Sequence, residues 1–309
     1  AGSGGSASIS GAGSSLNSNE FLLVGLEGNG VMFVENGGQV NSVVAGIGAS
    51  TGGIGEATVS GATWLNSSDL FIGADGTGVL TIVDGGRVEV GGAVEIAAGA
   101  GSSGTLNIGA GEGLAAAAPG TLAAGEIVFG PGTGAIVFNH TSTNYQFAAG
   151  MSGTGTIDLF SGTTVLTGNS TGFTGATTLH AGTLAVNGVL GGTLDVLAGR
   201  LQGTGTVGST TIAGGAVVAP GNSIGTLNVA GNATFAAGSV YEVELDPTSS
   251  NGDLIHVTGT VAIEGGIVEH IGLAGAYSPL RTYTIVTADG GVDGEFSGVT
   301  SDFAFLDPT

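Results

Sequence analysis

The sequence predicts an all-β protein folded as a right-handed parallel β-helix, which is a solenoid of stacked coils. Polar and apolar residues alternate in short runs such as 206–207, 211–212 and 226–229, and this alternation is the period of a β-strand. The gaps between these runs are too short for helices and are rich in Gly, Asn and Pro, which favour tight turns. Glycine supplies 65 of the 309 residues and hydrophobic residues make up 41%, a composition that suits closely stacked strands with frequent corners.

The first part of the chain repeats itself. Residues 22–40 align with residues 70–88 without a gap. Glycines and aliphatic residues recur while the polar positions vary, which is typical of a repeated structural unit rather than a repeated active site. Within this unit, residues 70–72 are echoed by residues 94–96. The repeat is therefore predicted to contain two coils of roughly two dozen residues each.

Residues 111–124 interrupt this rhythm. Residues 114–118 have helix propensity, but Pro119 and Gly120 end the run at once, so we expect a loop. The chain is accordingly predicted to contain three segments: solenoid coils with the internal repeat over 1–125, further β-helix coils over 126–187, and a C-terminal region over 188–309.

The charge of the chain limits its partners. The formal net charge is −21, there is no lysine, and the cationic residues are Arg87, Arg200 and Arg281. Nucleic acids and anionic lipid surfaces would be repelled, so neither is expected as a partner. The absence of cysteine excludes disulfides and a reactive thiol.

Targeting and membrane signals are also missing from the sequence. No apolar run reaches the roughly 20 residues of a membrane-spanning helix. The first residues have neither the basic nor the apolar region of a signal peptide. We therefore interpret the sequence as a mature or excised fragment.

Three stretches carry a resemblance to a known family. Residues 153–187 contain a Gly-x-Gly strand, a Thr-Gly-Asn strand end, a Phe-Thr-Gly turn and an Ala-Gly-Thr-Leu-x-Val run. Residues 219–227 read Ala-Pro-Gly-Asn-Ser-Ile-Gly-Thr-Leu, and residues 240–296 contain further alternating strands. Together they resemble the passenger-associated β-strand repeat, the signature run and the autochaperone segment of type V autotransporter passengers. The turn aromatic, usually tyrosine, is Phe173 in this chain.

The resemblance implies a C-terminal autochaperone cap that templates β-helix folding during type V secretion. It also implies display at the cell surface or in the extracellular space of a Gram-negative bacterium, with a covalently linked outer-membrane β-barrel after residue 309. The expected function is that of an adhesin or stalk in cell adhesion and virulence, binding host extracellular matrix or a cell-surface glycan or protein. Two alternatives remain open. The chain is the non-catalytic stem of an enzyme passenger, or it is a module that associates with itself and aggregates cells.

One stretch matches a catalytic pattern. Residues 221–225 fit Gly-x-Ser-x-Gly, with Ser223 at the nucleophile position. That motif requires a turn from a strand into a helix, and no helix is predicted to follow. No close pair of carboxylates suggests a glycosidase either. We therefore expect no catalytic residue, no enzymatic activity and no cofactor.

Metal-binding patterns are weak. The histidines are His140, His180, His256 and His270, and none of their spacings is that of a zinc site. We expect them at single surface or corner positions. Residues 73–78 are similar to a calcium-binding nonapeptide, but the repeat period here is far longer than that of tandem calcium sites. We expect no metal site.

Trp64 is the one candidate binding residue. It is the only tryptophan, and Asn66 and Asp69 follow it closely. An indole face packs on the C–H groups of a sugar ring, so this segment is a candidate sugar-stacking platform. The alternative is a packed aromatic residue at a corner of a coil. The binding residues are otherwise unknown.

Overall fold

The computed structural model describes residues 4–273, 275, 277–278 and 281–302. Every regular element within these residues is a β-strand, and they contain no helix. The strands pair in parallel and stack coil upon coil, so the prediction of an all-β parallel β-helix is confirmed. The expected C-terminal cap stays a prediction, as do the boundaries at 125 and 187.

The chain divides into two compact units. The first unit comprises Ala1–Thr164 and Gly168–Gly175, and the second comprises Val165–Thr167 and Ala176–Thr309. The first nineteen strands are β1 (Gly5–Ser10), β2 (Ser15–Asn17), β3 (Phe21–Val24), β4 (Asn29–Glu35), β5 (Gln39–Ser42), β6 (Val44–Ile47), β7 (Ile54–Ser60), β8 (Thr63–Asn66), β9 (Leu70–Ile72), β10 (Thr77–Val83), β11 (Arg87–Val90), β12 (Ala93–Ile96), β13 (Ser103–Gly109), β14 (Thr121–Ala123), β15 (Glu126–Phe129), β16 (Thr133–Asn139), β17 (Tyr145–Phe147), β18 (Gly150–Gly153) and β19 (Thr156–Ser161).

The remaining strands are β20 (Thr163–Leu166), β21 (Asn169–Ser170), β22 (Ala176–Leu179), β23 (Thr183–Val186), β24 (Val189–Val196), β25 (Arg200–Gly203), β26 (Thr206–Ile212), β27 (Val217–Pro220), β28 (Thr226–Val229), β29 (Ala233–Phe235), β30 (Val240–Leu245), β31 (Leu254–Val257), β32 (Val261–Ile263), β33 (Ile267–Gly272), β34 (Val286–Ala288), β35 (Val292–Gly294) and β36 (Gly298–Ser301).

The coils of the first unit build three parallel sheets, which we name faces A, B and C. Face A contains β1, β4, β7, β10, β13, β16 and β19; face B contains β2, β5, β8, β11 and β14; face C contains β3, β6, β9, β12, β15 and β18. Leu70 pairs with Val94 and Ile72 with Ile96, as the sequence repeat predicts. Because residues 24 apart, such as Asn17 and Asn41, lie on adjacent strands, the predicted coil length is confirmed in this unit.

Alternation along each strand fills the interior of the first unit. In β10, Leu80 and Ile82 are fully buried and lie directly over Leu106 and Ile108 of β13. Each fully buried aliphatic side chain contributes roughly 1.5–3 kcal/mol. The stability of a coil therefore comes mainly from the columns of side chains that it shares with its neighbours.

A column of glycines lies at the start of face A. Gly30, Gly55, Gly78 and Gly104 occupy the same place in successive strands. A Cβ added to Gly78 would lie 2.3 Å from the carbonyl oxygen of Ile47. The backbones of faces C and A thus approach too closely for a side chain, which explains the recurrence of glycine in the repeat.

The segment that interrupts the repeat is a loop, as predicted. Leu114 is exposed and no helix forms over 114–118. The Nδ2 atom of Asn139 donates hydrogen bonds to the carbonyl oxygens of Gly111 and Leu114, at 3.1 and 2.9 Å. Backbone hydrogen bonds also hold the loop, from the N–H of Thr141 to the carbonyl oxygen of Ala117 at 3.0 Å and from the N–H of Asp84 to that of Ala118 at 2.8 Å.

The second unit begins with shorter coils. Thr183 pairs with Arg200, and Arg200 with Val217, so successive strands are 17 residues apart. Residues 206–212 form one strand where two short runs were expected. The aromatic rings of Phe235, Tyr241 and Phe296 contact one another in the later coils.

Candidate functional site

The outer surface of face B carries two rows of side chains, one residue from each strand. Alternation in β2, β5, β8, β11 and β14 sends every second residue outward. One row contains Ser15, Gln39, Thr63, Arg87 and Thr121, and the other contains Asn17, Asn41, Leu65, Glu89 and Ala123. The charged members of these rows, Arg87 and Glu89, form an ion pair with each other. Face B therefore presents a hydrogen-bonding surface that is close to neutral on a strongly acidic chain.

The second row borders a shallow groove, which we name the face B groove. Its volume is about 600 Å³, and it is lined by residues 17–19, 41–43, 65–67, 89–91 and Ala123. The Nδ2 atom of Asn41 donates to the Oδ1 atom of Asn17 at 2.7 Å, which joins adjacent coils along the groove. Leu65 and Val43 are 41% and 39% exposed. The groove thus combines amides and hydroxyls with apolar side chains, a lining that suits an organic ligand.

Trp64 lies beneath this groove and not on its surface. Its side chain is fully buried between Val40 and Val88 of the adjacent strands. The indole therefore exposes no ring face, and the hypothesis that it forms a sugar-stacking platform is wrong. The sequence repeat could have indicated that Trp64 is buried. Val40 and Val88 occupy matching places in the repeat, and Trp64 lies one coil from each of them.

A buried polar network holds Trp64 in place. Its Nε1 atom donates to the Oγ atom of Ser42 at 2.9 Å, and Ser42 donates to the Oδ1 atom of Asn66 at 2.7 Å. The Nδ2 atom of Asn66 donates to the carbonyl oxygens of Ser68 and Asp69, at 2.8 and 2.9 Å. Ser42 and Asn66 also line the face B groove. The network therefore connects the floor of the groove to the indole ring.

The second unit contains a smaller polar cleft beside the Gly-x-Ser-x-Gly stretch. Its volume is about 210 Å³, and Arg200, Glu242, Glu244, Asp253 and Ser223 are among its lining residues. Ser223 is exposed in the turn between β27 and β28. Because the turn continues into a strand, it lacks the strand-to-helix geometry of a nucleophile elbow.

Asp253 is the most deeply buried carboxylate of this cleft, with 2% of its surface exposed. Its Oδ1 and Oδ2 atoms accept backbone N–H groups of Gly225 and Glu244, each at 2.8 Å. Burial raises the pKa of Asp253 to about 6, with the carboxylate of Glu244 adding to the rise. The Arg200 guanidinium forms its ion pair with Glu242. Sequence reasoning missed this cluster because its members come from two separate strands, β25 and β30, and from two loops.

The histidines are distributed singly. The Nε2 atom of His140 lies 2.9 Å from the Oγ1 atom of Thr164, and the Nδ1 atom of His270 lies 2.9 Å from the Oγ atom of Ser301. Both rings are buried, so the expected surface or corner position is wrong for these two, and burial lowers the pKa of each. His256, in β31, contacts Thr287. Across the described residues, no three His, Cys, Asp or Glu side chains are grouped in a way that could hold a metal ion.

Within the same residues, no helix is long and apolar enough to cross a membrane. Comparison of the chain with protein-family models and with curated protein sequences gave no match.

Proposed function

We propose that this chain is the C-terminal part of an autotransporter passenger and acts as a stalk or adhesin at the surface of a Gram-negative bacterium. The resemblance of residues 153–187 and 219–227 to passenger motifs supports this proposal. The parallel β-helix also supports it, because a stack of coils can present long rows of outward side chains without a catalytic centre.

The single observation that carries the binding role is the face B groove. Its amide, hydroxyl and apolar side chains recur from coil to coil along the first unit. Such a repeated surface suits attachment, since contacts at several coils add to one another. The C-terminal segment from residue 188 is proposed to template the folding of the preceding coils during export.

Surface display tests the proposed function. The chain is joined to an outer-membrane β-barrel and expressed in a Gram-negative strain, and the same barrel without the chain serves as control. Cells are applied to wells coated with fibronectin, laminin or collagen and to cultured epithelial cells. We expect several-fold more attached cells than the control on at least one surface. Attachment equal to the control on all of them, with display verified by protease accessibility, would refute the adhesin proposal.

A further inference from the structure

We infer that the face B groove binds an uncharged oligosaccharide that lies across the strands, along the direction in which the coils stack. This inference rests on the proposed binding function and names its ligand class. Asn17, Asn41, Leu65 and Glu89 follow one another on adjacent strands, which are about 4.8 Å apart. A linear ligand can therefore meet one side chain of the row at every coil.

The chemistry of the groove matches a sugar chain. Sugar hydroxyls both donate and accept hydrogen bonds, and each asparagine amide has two donors and an acceptor oxygen with two lone pairs. The bond from Asn41 to Asn17 uses one donor and one lone pair, which leaves further bonding capacity on both amides. Leu65 and Val43 supply exposed apolar surface for the C–H groups of a sugar ring.

Charge excludes acidic glycans. The chain has a formal net charge of −21, so an anionic polysaccharide is repelled at long range. Within the groove the carboxylate of Glu89 is already paired with Arg87. The lining residues themselves include no cationic side chain that could receive a uronate or a sulfate.

Backbone geometry disfavours an extended peptide. A peptide that adds to a sheet needs an unpaired strand edge. The groove lies across the outer surface of β2, β5, β8 and β11, and β5, β8 and β11 are each paired on both sides within face B. The edge of β2 lies at one end of the groove, so it does not run along the groove. Side chains are thus the available binding groups, and they match hydroxyls better than a peptide backbone.

Trp64 provides an internal reporter for the test. It is the only tryptophan, and its indole N–H is bonded to Ser42, which lines the groove. The purified chain is titrated with maltohexaose, cellohexaose and chitohexaose, and with an acidic oligogalacturonate. We expect a saturable change in tryptophan emission with at least one uncharged oligosaccharide and none with the acidic one.

Two matched variants locate the site. Leu65→Asp places a charge in the groove, whereas Phe33→Asp places one at a residue of similar exposure, 38%, on β4 of face A. We expect Leu65→Asp to weaken binding of the uncharged oligosaccharide at least about 10-fold and Phe33→Asp to leave it unchanged. Circular dichroism and thermal unfolding establish that both variants are folded. Asn41→Ala removes an amide without adding a charge, and we expect it to weaken binding as well. It replaces Leu65→Asp in the test if that variant does not fold.

Three results would overturn the inference: no saturable change with any uncharged oligosaccharide, equal binding by the Leu65 and Phe33 variants, or saturable binding of the acidic oligosaccharide alone. The surface-display assay distinguishes failure of the oligosaccharide inference from failure of the proposed adhesin function. Undiminished attachment of cells that display Leu65→Asp would leave the adhesin proposal intact and reject the groove as its ligand site.

Discussion

Single residues in the left-handed region turn the chain from face C into face A. Gly25, Gly48 and Gly73 have φ angles of +72°, +66° and +74°, and Ala97 has +56° at the matching corner of the next coil. A Cβ on Gly73 would lie 2.0 Å from the carbonyl oxygen of Ser103. The corners of neighbouring coils therefore differ in whether they accept a methyl group.

This difference leads to a prediction for two exchanges. Gly73→Ala should lower the free energy of unfolding by more than about 2 kcal/mol, because the left-handed strain of roughly 1–2 kcal/mol adds to a backbone clash. Ala97→Gly should change it by less than about 1 kcal/mol. Ala97→Gly relieves the left-handed strain, but it removes a buried methyl group worth about 0.8 kcal/mol. It also adds the conformational entropy that glycine loses on folding, which costs roughly 0.5–1 kcal/mol. Urea unfolding followed by Trp64 fluorescence measures the free energy of unfolding of both variants. Equal effects would contradict the claim that the two corners differ in whether they accept a methyl group.

The Trp64 network gives a second prediction. Ser42→Ala leaves the indole N–H and the Oδ1 atom of Asn66 without their bonds to Ser42 in the core. Each buried polar group left unpaired costs about 1–3 kcal/mol. With two such groups, we expect the free energy of unfolding to fall by roughly 2–6 kcal/mol, measured by urea unfolding followed by circular dichroism. Trp64→Phe removes one donor and leaves the bond between Ser42 and Asn66, so the double variant should lose less than the sum of the two. Strict additivity would show that the network does not act as a unit.

Asp253 makes stability depend on pH. Its pKa is raised from 3.8 to about 6 by burial, so the folded chain holds this proton more tightly than the unfolded chain. The resulting stabilisation is present below pH 3.8 and is lost as the pH rises through about 6, and it amounts to about 3 kcal/mol. Asp253→Asn should therefore flatten the change in unfolding free energy between pH 4 and pH 7. Asp75→Asn, at an exposed aspartate of the first unit, is the control. Identical profiles of unfolding free energy against pH for the wild type and Asp253→Asn would show that Asp253 does not cause the pH dependence.

At the scale of the structural element, the coil of the first unit behaves as an exchangeable module. Ile54 pairs with Thr77 and Gly55 with Gly78, so residues 54 and 77 occupy equivalent positions in successive coils. Inward and outward positions alternate within each strand, as the burial of β10 shows. A shift of one residue would therefore turn the whole inward set toward solvent.

Deletion of residues 55–77 tests this modularity. It joins Ile54 to Gly78 and keeps every later residue on its present face, so we expect a folded chain with cooperative but weaker thermal unfolding. Deletion of 55–78 puts Val79 in the glycine column and turns Leu80 and Ile82 outward, and this chain should fail to unfold cooperatively. Circular dichroism follows both, because the deletions remove Trp64. Equal behaviour of the two deletions would contradict a fixed register.

At the scale of the whole molecule, large aromatic side chains are concentrated unevenly. Residues 75–125 contain none. The second unit holds the contacts of Phe235, Tyr241 and Phe296, and the hydroxyl of Tyr241 donates to the carbonyl oxygen of Ile285 at 2.7 Å. The first unit has an aromatic group of its own around Phe138, whose ring contacts His140, Tyr145 and Phe147.

The resemblance to an autochaperone predicts that folding begins in the C-terminal region. Residues 188–309 alone should fold cooperatively and resist protease, while residues 1–187 alone should aggregate or fold slowly. Phe303 and Phe305, which belong to the same predicted nucleus, lie outside the described residues. Limited proteolysis and refolding kinetics of the two fragments show which region folds first. Ready folding of 1–187 alone, together with an unfolded 188–309, would contradict the autochaperone assignment and favour the group around Phe138.

The local features of this protein follow directly from its amino-acid sequence. Alternation of polar and apolar residues identified most strands, and the repeat of 22–40 in 70–88 identified the coil length of the first unit. Proline and glycine after residues 114–118 correctly indicated a loop. These features depend on residues close to one another in the chain or on direct repetition, so they can be read without knowing the fold.

Which side chains contact one another depends on how the coils stack. The tertiary structure placed Trp64 in the core, buried His140 and His270, and brought Asp253 to Gly225 and Glu244. It also set the spacing of 17 residues in the first coils of the second unit. Alternation assigns residues to two sides of a strand, but the neighbouring coils determine which polar groups on the inner side find partners. The face B groove depends on the same stacking, because its lining residues come from strands that are about two dozen residues apart in the chain.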